Sequence, residues 1–224
     1  YWLADMTKSE LSKETPHFPL PVMEERVSPG AAGNVAANLA ALKPASLHCI
    51  GLKGTDWRGA LLEEALAKKG VDASLISCPE RWTSAYCKPL RKGISETIYE
   101  DPRLDFLSPA APSKETEEQI LLLLDHLSSS MDVLAVADQF ENGIITAAIR
   151  DKLSDLAQQG LKIIVDSRYH IASYRNMILK PNESECAAAC GTASPFSSEE
   201  NARELAIKCH ATVIETLGEK GSII

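Results

Sequence analysis

Short apolar runs alternate with longer amphipathic stretches along the second half of the chain. The runs consist almost entirely of Val, Ile, Leu and Ala, which is typical of strands buried on both faces of a sheet. The stretches between them repeat their apolar residues with a helical period. Strands are predicted at 133–137, 161–166, 177–179 and 211–216, and helices at 114–128, 143–159, 181–190 and 197–210. This alternation predicts an α/β fold on a mostly parallel sheet with helices on both faces.

The first half of the chain combines helices with small β pieces. Apolar residues at Phe18, Leu20 and Val22 recur with period two among prolines, so an edge strand is predicted within 17–27. Two short strands around Lys92 and Gly93 predict a hairpin within 83–101. Helices are predicted at 34–43 and 57–69, the second capped by Asp56, and strands at 47–51 and 73–77.

Composition narrows the class of protein. With 224 residues, 45% of them hydrophobic, the chain is long enough to bury a core without disulfides, and a single domain over 1–224 is predicted. Its 31 acidic and 23 basic residues give a net charge of −8, which argues against nucleic acid as a partner. Apolar runs are too short to span a bilayer, no secretory leader is visible, and six scattered cysteines are typical of reduced thiols. A cytoplasmic location without membrane contact is expected.

Polar residues follow each predicted strand. In open parallel sheets, ligands bind beyond the carboxyl ends of the strands, so these residues are expected at one rim. Each of them alone is also a common helix cap or turn residue. The rim candidates are Gly51, Gly54, Asp56, Asp138, Asp166, Ser167, Arg168, Lys180, Asn182, Glu185, Thr216, Gly218 and Gly221.

The residue types at this rim point to a reaction class. The carboxylates of Asp166 and Glu185 suit a hydrated Mg²⁺. Thr216, Gly218 and Gly221 suit an anion bound through backbone amides. Together they indicate phosphoryl transfer, which needs positioning and charge neutralisation. Neither the P-loop motif nor the dinucleotide glycine motif occurs, so a kinase of the P-loop type is not expected.

One segment resembles a known family. SPGAAGNVAANLAAL at 28–42 is similar to the di-glycine motif of the ribokinase-like, or PfkB, sugar kinases. Further matching segments follow in the order expected of the heptose-phosphate kinase branch, whose members make the ADP-heptose precursor of lipopolysaccharide. These segments are RLDF at 103–106, VADQFENG at 136–143, IIVDSR at 163–168, LKPNESE at 179–185 and TLGEKG at 216–221. The resemblance covers nearly the whole chain and implies a ribokinase-like fold with a small β-lid formed by about 15–29 and 83–107.

The resemblance also implies an activity and its residues. It implies an ATP-dependent, Mg²⁺-requiring kinase that transfers the γ-phosphoryl group to a hydroxyl of a phosphorylated sugar, with a heptose 7-phosphate expected, and a homodimer formed through the lids. Expected nucleotide-side residues are Asp166, Asn182, Glu185, Thr216, Gly218 and Gly221, with Glu185 as the metal ligand. Expected substrate-side residues are Gly30, Asn34, Arg103 and Asp105, to which the rim residue Asp138 is added.

The sequence departs from the family pattern in three places. Ala31 replaces the second glycine of the usual pair, which narrows the freedom of the backbone there. The Gly-Ala-Gly-Asp segment that supplies the family's general base is absent, as is the strand expected ahead of Tyr1. No catalytic base is therefore assigned, and residues 1–224 alone are expected to bind weakly and turn over little. Two alternatives stay open: a PfkB-type kinase of another sugar or of a nucleoside, and an inactive domain that binds nucleotide or sugar.

Overall fold

The computed structural model describes residues 1–95, 97–192 and 198–224. The chain divides into two compact units, Tyr1–Ser108 and Pro109–Ile224. The interpretation of 1–224 as one domain stays a prediction. Glu96 in the turn of the predicted hairpin and Ser197 at the start of the last predicted helix lie outside the described residues.

The first unit contains two helices and three small sheets among its described residues. The elements are β1 (Trp2–Asp5), β2 (Val22–Glu25), α1 (Gly30–Ala41), β3 (His48–Lys53), α2 (Trp57–Lys68), β4 (Asp72–Ser77), β5 (Ala85–Cys87), β6 (Pro89–Lys92), β7 (Ile98–Glu100) and β8 (Leu104–Phe106). Strands β2, β1, β6 and β7 form one sheet in that order, β3 pairs with β4 in parallel, and β5 pairs with β8 antiparallel. The predicted edge strand and the predicted hairpin are confirmed as β2 and as the antiparallel pair β6–β7.

Two features of the first unit differ from the sequence expectations. The residues of β1 lie outside every strand predicted from the sequence, yet β1 pairs antiparallel with β2 and parallel with β6. Four residues are too few for a periodic signal, so these partners decide its conformation. Helix α1 begins at Gly30 rather than Asn34, since Ala31 and Ala32 are strong helix formers. An added Cβ at Gly33 would lie 2.6 Å from the Pro29 Cβ, so the first turn packs closely against that proline.

The core of the first unit lies between its helices and the β3–β4 pair. Ala36 of α1, Leu66 of α2 and Val71 are buried together, and partly buried side chains of both strands pack against them. Helix α2 starts as predicted: the Asp56 side chain accepts hydrogen bonds from the amides of Arg58 and Gly59.

The second unit contains the predicted parallel sheet. The elements are α3 (Lys114–Ser128), β9 (Val133–Asp138), α4 (Ala147–Gln158), β10 (Lys162–Ser167), β11 (Ile178–Leu179), α5 (Glu183–Cys190), α6 (Ser198–Cys209), β12 (Thr212–Val213), β13 (Glu215–Thr216) and β14 (Ser222–Ile223). The strands of the sheet run in the order β12-β11-β10-β9, and all three neighbouring pairs are parallel. Helix α4 contacts β10 and helix α6 contacts β12, while α3 packs on α4 and α5 on α6.

Two boundaries in this unit differ from prediction. The strand expected at 211–216 splits at Ile214, because β13 turns back on β14 as an antiparallel hairpin. Helix α4 begins at Ala147 instead of 143, because the Thr146 side chain caps it by accepting the amide of Ile149. The predicted helix 114–128 is confirmed with the same bounds.

Apolar side chains of both layers bury the core of the second unit. Fully buried residues from α4, β10, β11 and α6 include Ile149, Leu153, Val165, Leu179 and Leu205. Among the residues that the structure describes, no helix has the length and apolar character needed to cross a membrane.

Candidate functional site

The carboxyl ends of β10, β11 and β13 bring predicted nucleotide-side residues onto neighbouring segments. Val165 pairs with Leu179, and the Lys180 amide donates to the Val165 carbonyl at 2.8 Å. One step further along, Asn182 and Thr216 form a parallel bridge. The rim predicted for Asp166, Asn182 and Thr216 is therefore present in the second unit.

Asn182 and Glu185 form a reciprocal cap at the start of α5. The Glu185 amide donates to the Asn182 Oδ1 at 2.8 Å, and the Asn182 amide donates to the Glu185 Oε2 at 2.9 Å. This capping box explains the three-residue spacing by itself. It accounts for the motif structurally, and the nucleotide-binding role of both residues stays a prediction.

A magnesium ion at this rim would depend on few protein ligands. Within 1–95, 97–192 and 198–224, no three His, Cys, Asp or Glu side chains are arranged to hold a metal ion. Only the Oε2 of Glu185 is engaged in the described part of the chain, which leaves Oε1 for a cation. One carboxylate with phosphate oxygens and waters suits Mg²⁺, so the residue present fits the ion that was predicted.

Asp166 forms an ion pair with Lys180, a rim residue to which the sequence analysis assigns no separate role. Its Oδ2 lies 2.8 Å from the Lys180 Nζ, and its Oδ1 accepts a hydrogen bond from the Gln139 Nε2 at 2.9 Å. Asp166 and Lys180 are both partly exposed. Asp166 therefore holds Lys180 at the rim.

The predicted ATP-side loop is the turn of the β13–β14 hairpin. The Thr216 Oγ1 donates to the Pro181 carbonyl at 3.3 Å, which ties the loop to the start of α5. Gly218 and Gly221 have φ values of +59° and +90°, a region that favours glycine. An added Cβ at either glycine would meet nothing within 4 Å, so backbone conformation, not crowding, requires glycine at both.

Asp138, a predicted substrate-side residue, is 4% exposed and engaged internally. Its Oδ2 accepts hydrogen bonds from the Ser167 hydroxyl at 2.7 Å and the Tyr174 hydroxyl at 2.8 Å. Burial and the nearby Asp138 charge raise the pKa of Tyr174, so this hydroxyl remains a donor. No sequence pattern pointed to Tyr174, which lies in the loop after β10. A direct contact of Asp138 with substrate stays a prediction.

The predicted substrate-side residues of the first unit lie in two places. Gly30 begins α1 with a φ of +80°, and an added Cβ would meet nothing within 4 Å. Asn34, one turn later, is exposed and accepts a hydrogen bond from the Ser28 hydroxyl at 2.7 Å. Both positions fit a turn that is open to solvent.

Arg103 and Asp105 pair with each other. The Arg103 Nε and Nη2 donate to the two Asp105 carboxylate oxygens at 2.6 and 2.8 Å. These hydrogen bonds lower the pKa of Asp105. The Arg103 guanidinium also stacks 4.2 Å from the Tyr86 ring centre, so the pair is fixed to the neighbouring strand β5.

Glu215 is a buried carboxylic acid next to Thr216 that no sequence pattern singled out. It is 0% exposed, and in the described part of the chain neither carboxyl oxygen has a hydrogen-bond partner. Burial raises its pKa and the charge of Glu183 raises it further, while the Ser198 hydroxyl and the Cys186 thiol act in the opposite direction. Folding therefore shifts this carboxyl towards its neutral form, relative to the unfolded chain.

The unfolding free energy of wild type is expected to fall as pH rises and buried Glu215 ionises, and Glu215→Gln should abolish this fall. A raised pKa in the folded state favours folding below the ordinary value of 4.5, and this contribution is lost as pH rises through the folded-state pKa. As pH rises from 4.5 to neutral, the unfolding free energy of the variant should gain on that of wild type, by about 1 kcal/mol. Denaturant unfolding across this range measures it, with exposed Glu199→Gln as the control. If the difference in unfolding free energy between Glu215→Gln and wild type did not change with pH, the expectation would be contradicted.

Known structures share this fold. The chain is similar to phosphofructokinase-2 from Escherichia coli, solved in complex with substrates and products, with a TM-score of 0.68 and 20% identity over 99% of this chain and 71% of that one. It is also similar to ribokinase from Giardia lamblia, with a TM-score of 0.64 and 14% identity over 98% of this chain and 71% of that one. The predicted ribokinase-like α/β fold is thus confirmed.

Curated relatives cover most of this chain. A bifunctional protein HldE from Bradyrhizobium sp. (strain ORS 278) is 30% identical over 194 residues, which cover 84% of this chain and 39% of that protein. The HldE protein of Nitrobacter winogradskyi is 28% identical over 229 aligned residues, 98% of this chain and 46% of that protein. The chain thus spans less than half the length of these relatives.

The family model described as pfkB family carbohydrate kinase matches residues 22–224. The matched residues include β2, both strands of the β6–β7 hairpin and all four strands of the parallel sheet. The chain therefore belongs to the pfkB family of carbohydrate kinases.

Proposed function

We propose that the protein is an ATP-dependent kinase that transfers the γ-phosphoryl group to a hydroxyl of a phosphorylated sugar, a heptose 7-phosphate being the expected acceptor. The observation that carries the proposal is the bridge between Asn182 and Thr216, because it joins two motifs expected at the nucleotide. The HldE relatives and the order of the heptose-kinase-like segments support the choice of sugar.

The residues of the second unit suit the nucleotide part of this reaction. Glu185 would hold Mg²⁺ together with phosphate oxygens, and the bound ion would neutralise their charge. The loop from Gly218 to Gly221 suits a phosphate, because glycine at both of its ends lets an anion approach the backbone. Lys180, held by Asp166, adds a positive charge at the same rim.

The residues of the first unit suit the sugar part. The paired Arg103 and Asp105 offer both a donor and an acceptor for hydroxyl or phosphate groups. Gly30 and Asn34 lie in the turn that resembles the family's sugar-side motif. Asp138, which lies in the second unit, is proposed separately as a substrate-side residue. No general base is assigned to any residue of the chain.

Phosphoryl transfer to a panel of acceptors tests the proposal. ADP formation with a heptose 7-phosphate should be at least about tenfold faster than with fructose 6-phosphate or adenosine. A preference for another acceptor would replace the heptose by the other sugar or nucleoside. Binding of MgATP or sugar without ADP formation would favour an inactive binding domain.

A homodimer formed through the β2-β1-β6-β7 sheet is part of the proposal. The outer strands β2 and β7 carry exposed apolar residues, and an unpaired outer strand is a natural site for pairing with a second copy. The residues are Val22, Met23, Ile98 and Tyr99. Sedimentation of the protein as a monomer at micromolar concentration would contradict it. We also propose a cytoplasmic location, which fits a soluble nucleotide and sugar phosphate as substrates.

A further inference from the structure

The carboxylate of Asp56 makes two separate sets of contacts. Its Oδ1 accepts the amides of Arg58 and Gly59 at 2.9 and 3.1 Å, which caps α2. Its Oδ2 accepts the Thr83 amide at 2.7 Å and lies 3.4 Å from the Arg58 Nη2. A cap needs only one oxygen, so the second oxygen is available to hold the distant residue Thr83.

Thr83 is bound to the same segment through two more atoms. It is 5% exposed. Its Oγ1 accepts the Gly54 amide at 2.9 Å, and its carbonyl accepts the Arg58 Nε at 3.1 Å. The chain just before β5 is therefore held against the start of α2 by its amide, its carbonyl and its side chain.

The close fit around Asp56 leaves little room for movement. An added Cβ at Gly54 would lie 2.8 Å from the Asp56 Oδ2 and 2.9 Å from the Thr83 amide nitrogen. An added Cβ at Gly59 would lie 2.5 Å from the Gly54 carbonyl oxygen. Burial acts to raise the pKa of Asp56, but hydrogen bonds from the Thr83 and Gly59 amides and the Arg58 charge outweigh it and lower this pKa. The carboxylate is thus ionised and fixed.

We name the antiparallel pair β5–β8 the lid ribbon. Arg58 extends the contacts of Asp56 to the second strand of this ribbon, β8. Its guanidinium stacks 4.5 Å from the Phe106 ring centre, and Phe106 pairs with Ala85 across the ribbon. The same ribbon carries Asp105 opposite Tyr86. Arg58 therefore contacts the residue next to Asp105.

We infer that Asp56 is a positioning residue for the sugar: its Oδ2, together with Arg58, anchors the lid ribbon to the start of α2 and so holds Arg103 and Asp105 in place. This inference rests on the proposed function. A flexible ribbon would have to be ordered again each time sugar binds, which weakens sugar affinity and leaves the nucleotide side unaffected.

Asp56→Ser separates the anchor from the cap, because Ser caps helices well but has a single side-chain oxygen. Amides of 85–87 and 104–106 should exchange with deuterium about tenfold faster or more, while those of 60–68 in α2 keep their protection. The KM of the sugar phosphate preferred in the acceptor panel should rise by about tenfold, and that of ATP should stay within about twofold.

Glu64→Gln is the matched control, because it removes an exposed carboxylate of α2 that pairs with Lys68 on the same helix. It should change neither exchange in the ribbon nor either KM. Two outcomes of Asp56→Ser would show that Asp56 only caps α2. One is an equal loss of protection from deuterium exchange in α2 and in the lid ribbon, and the other is no change in either. Faster exchange in the ribbon with an unchanged sugar KM would overturn the positioning role. Failure of wild type to bind any sugar would sink the proposed function, whereas the exchange experiment would still test the anchor.

Discussion

Glu185→Gln is expected to lower Mg²⁺-dependent ATP binding and phosphoryl transfer by more than about tenfold, because the carboxylate that we propose as the Mg²⁺ ligand loses its charge. The free energy of unfolding should stay the same. A Gln at this position can still accept the Asn182 amide, so the capping box survives. Calorimetric titration of ATP with and without Mg²⁺ measures binding, ADP formation in the acceptor panel measures transfer, and denaturant unfolding measures stability.

Glu183→Gln is the matched control for this experiment. Glu183 lies in the same first turn of α5 and takes no part in the capping box. It should change Mg²⁺-dependent binding by less than about threefold, since only screened charge is removed. Glu185→Ala should lose binding and also about 1 kcal/mol of stability, because the reciprocal cap is broken. Unchanged Mg²⁺ dependence in Glu185→Gln would leave the cap as the sole role of Glu185.

Asp138→Ala is expected to lower the free energy of unfolding by about 3 kcal/mol, because two buried hydroxyl donors lose their acceptor. Ser167 and Tyr174 are both 0% exposed, so water cannot replace the Asp138 oxygen without a rearrangement of the core. Asp138→Asn keeps an oxygen that can accept from both hydroxyls, and it should lose clearly less stability. Denaturant unfolding of the variants measures the effect.

The Asn variant also tests the proposed contact of Asp138 with sugar. If this carboxylate binds the substrate, Asp138→Asn should raise the sugar KM by about tenfold at nearly native stability. Native sugar affinity in a stable Asp138→Asn protein would assign Asp138 to the core alone. Asp151→Ala, at an exposed position on α4, is the control and should change stability by less than about 0.5 kcal/mol.

Local patterns predicted most helices and strands of this protein. Helix α3 has the predicted bounds, and the cap of α2 at Asp56 was identified from its residue type. These features depend on interactions within a few residues, namely side-chain periodicity and capping hydrogen bonds, which the sequence displays directly. The apolar runs that became β9 and β10 were recognisable for the same reason.

Family-like motifs marked the nucleotide rim, but their spacing had two explanations. Asn182 and Glu185 are separated as a capping box requires, and a capping box is what they form. A spacing of three residues cannot distinguish a cap from a metal and phosphate site, because both need side chains on the first turn of a helix.

By itself, the sequence determined the α/β class, most of the elements, the order of the motifs and the family resemblance. Only the tertiary structure decided that Trp2–Asp5 is a strand, that Asp138 is enclosed by Tyr174, that Glu215 is buried and that Asp56 reaches Thr83. These contacts join residues more than twenty positions apart, and their free energy depends on burial and on which partner is near. Both quantities exist only after the chain has folded, so no local pattern records them.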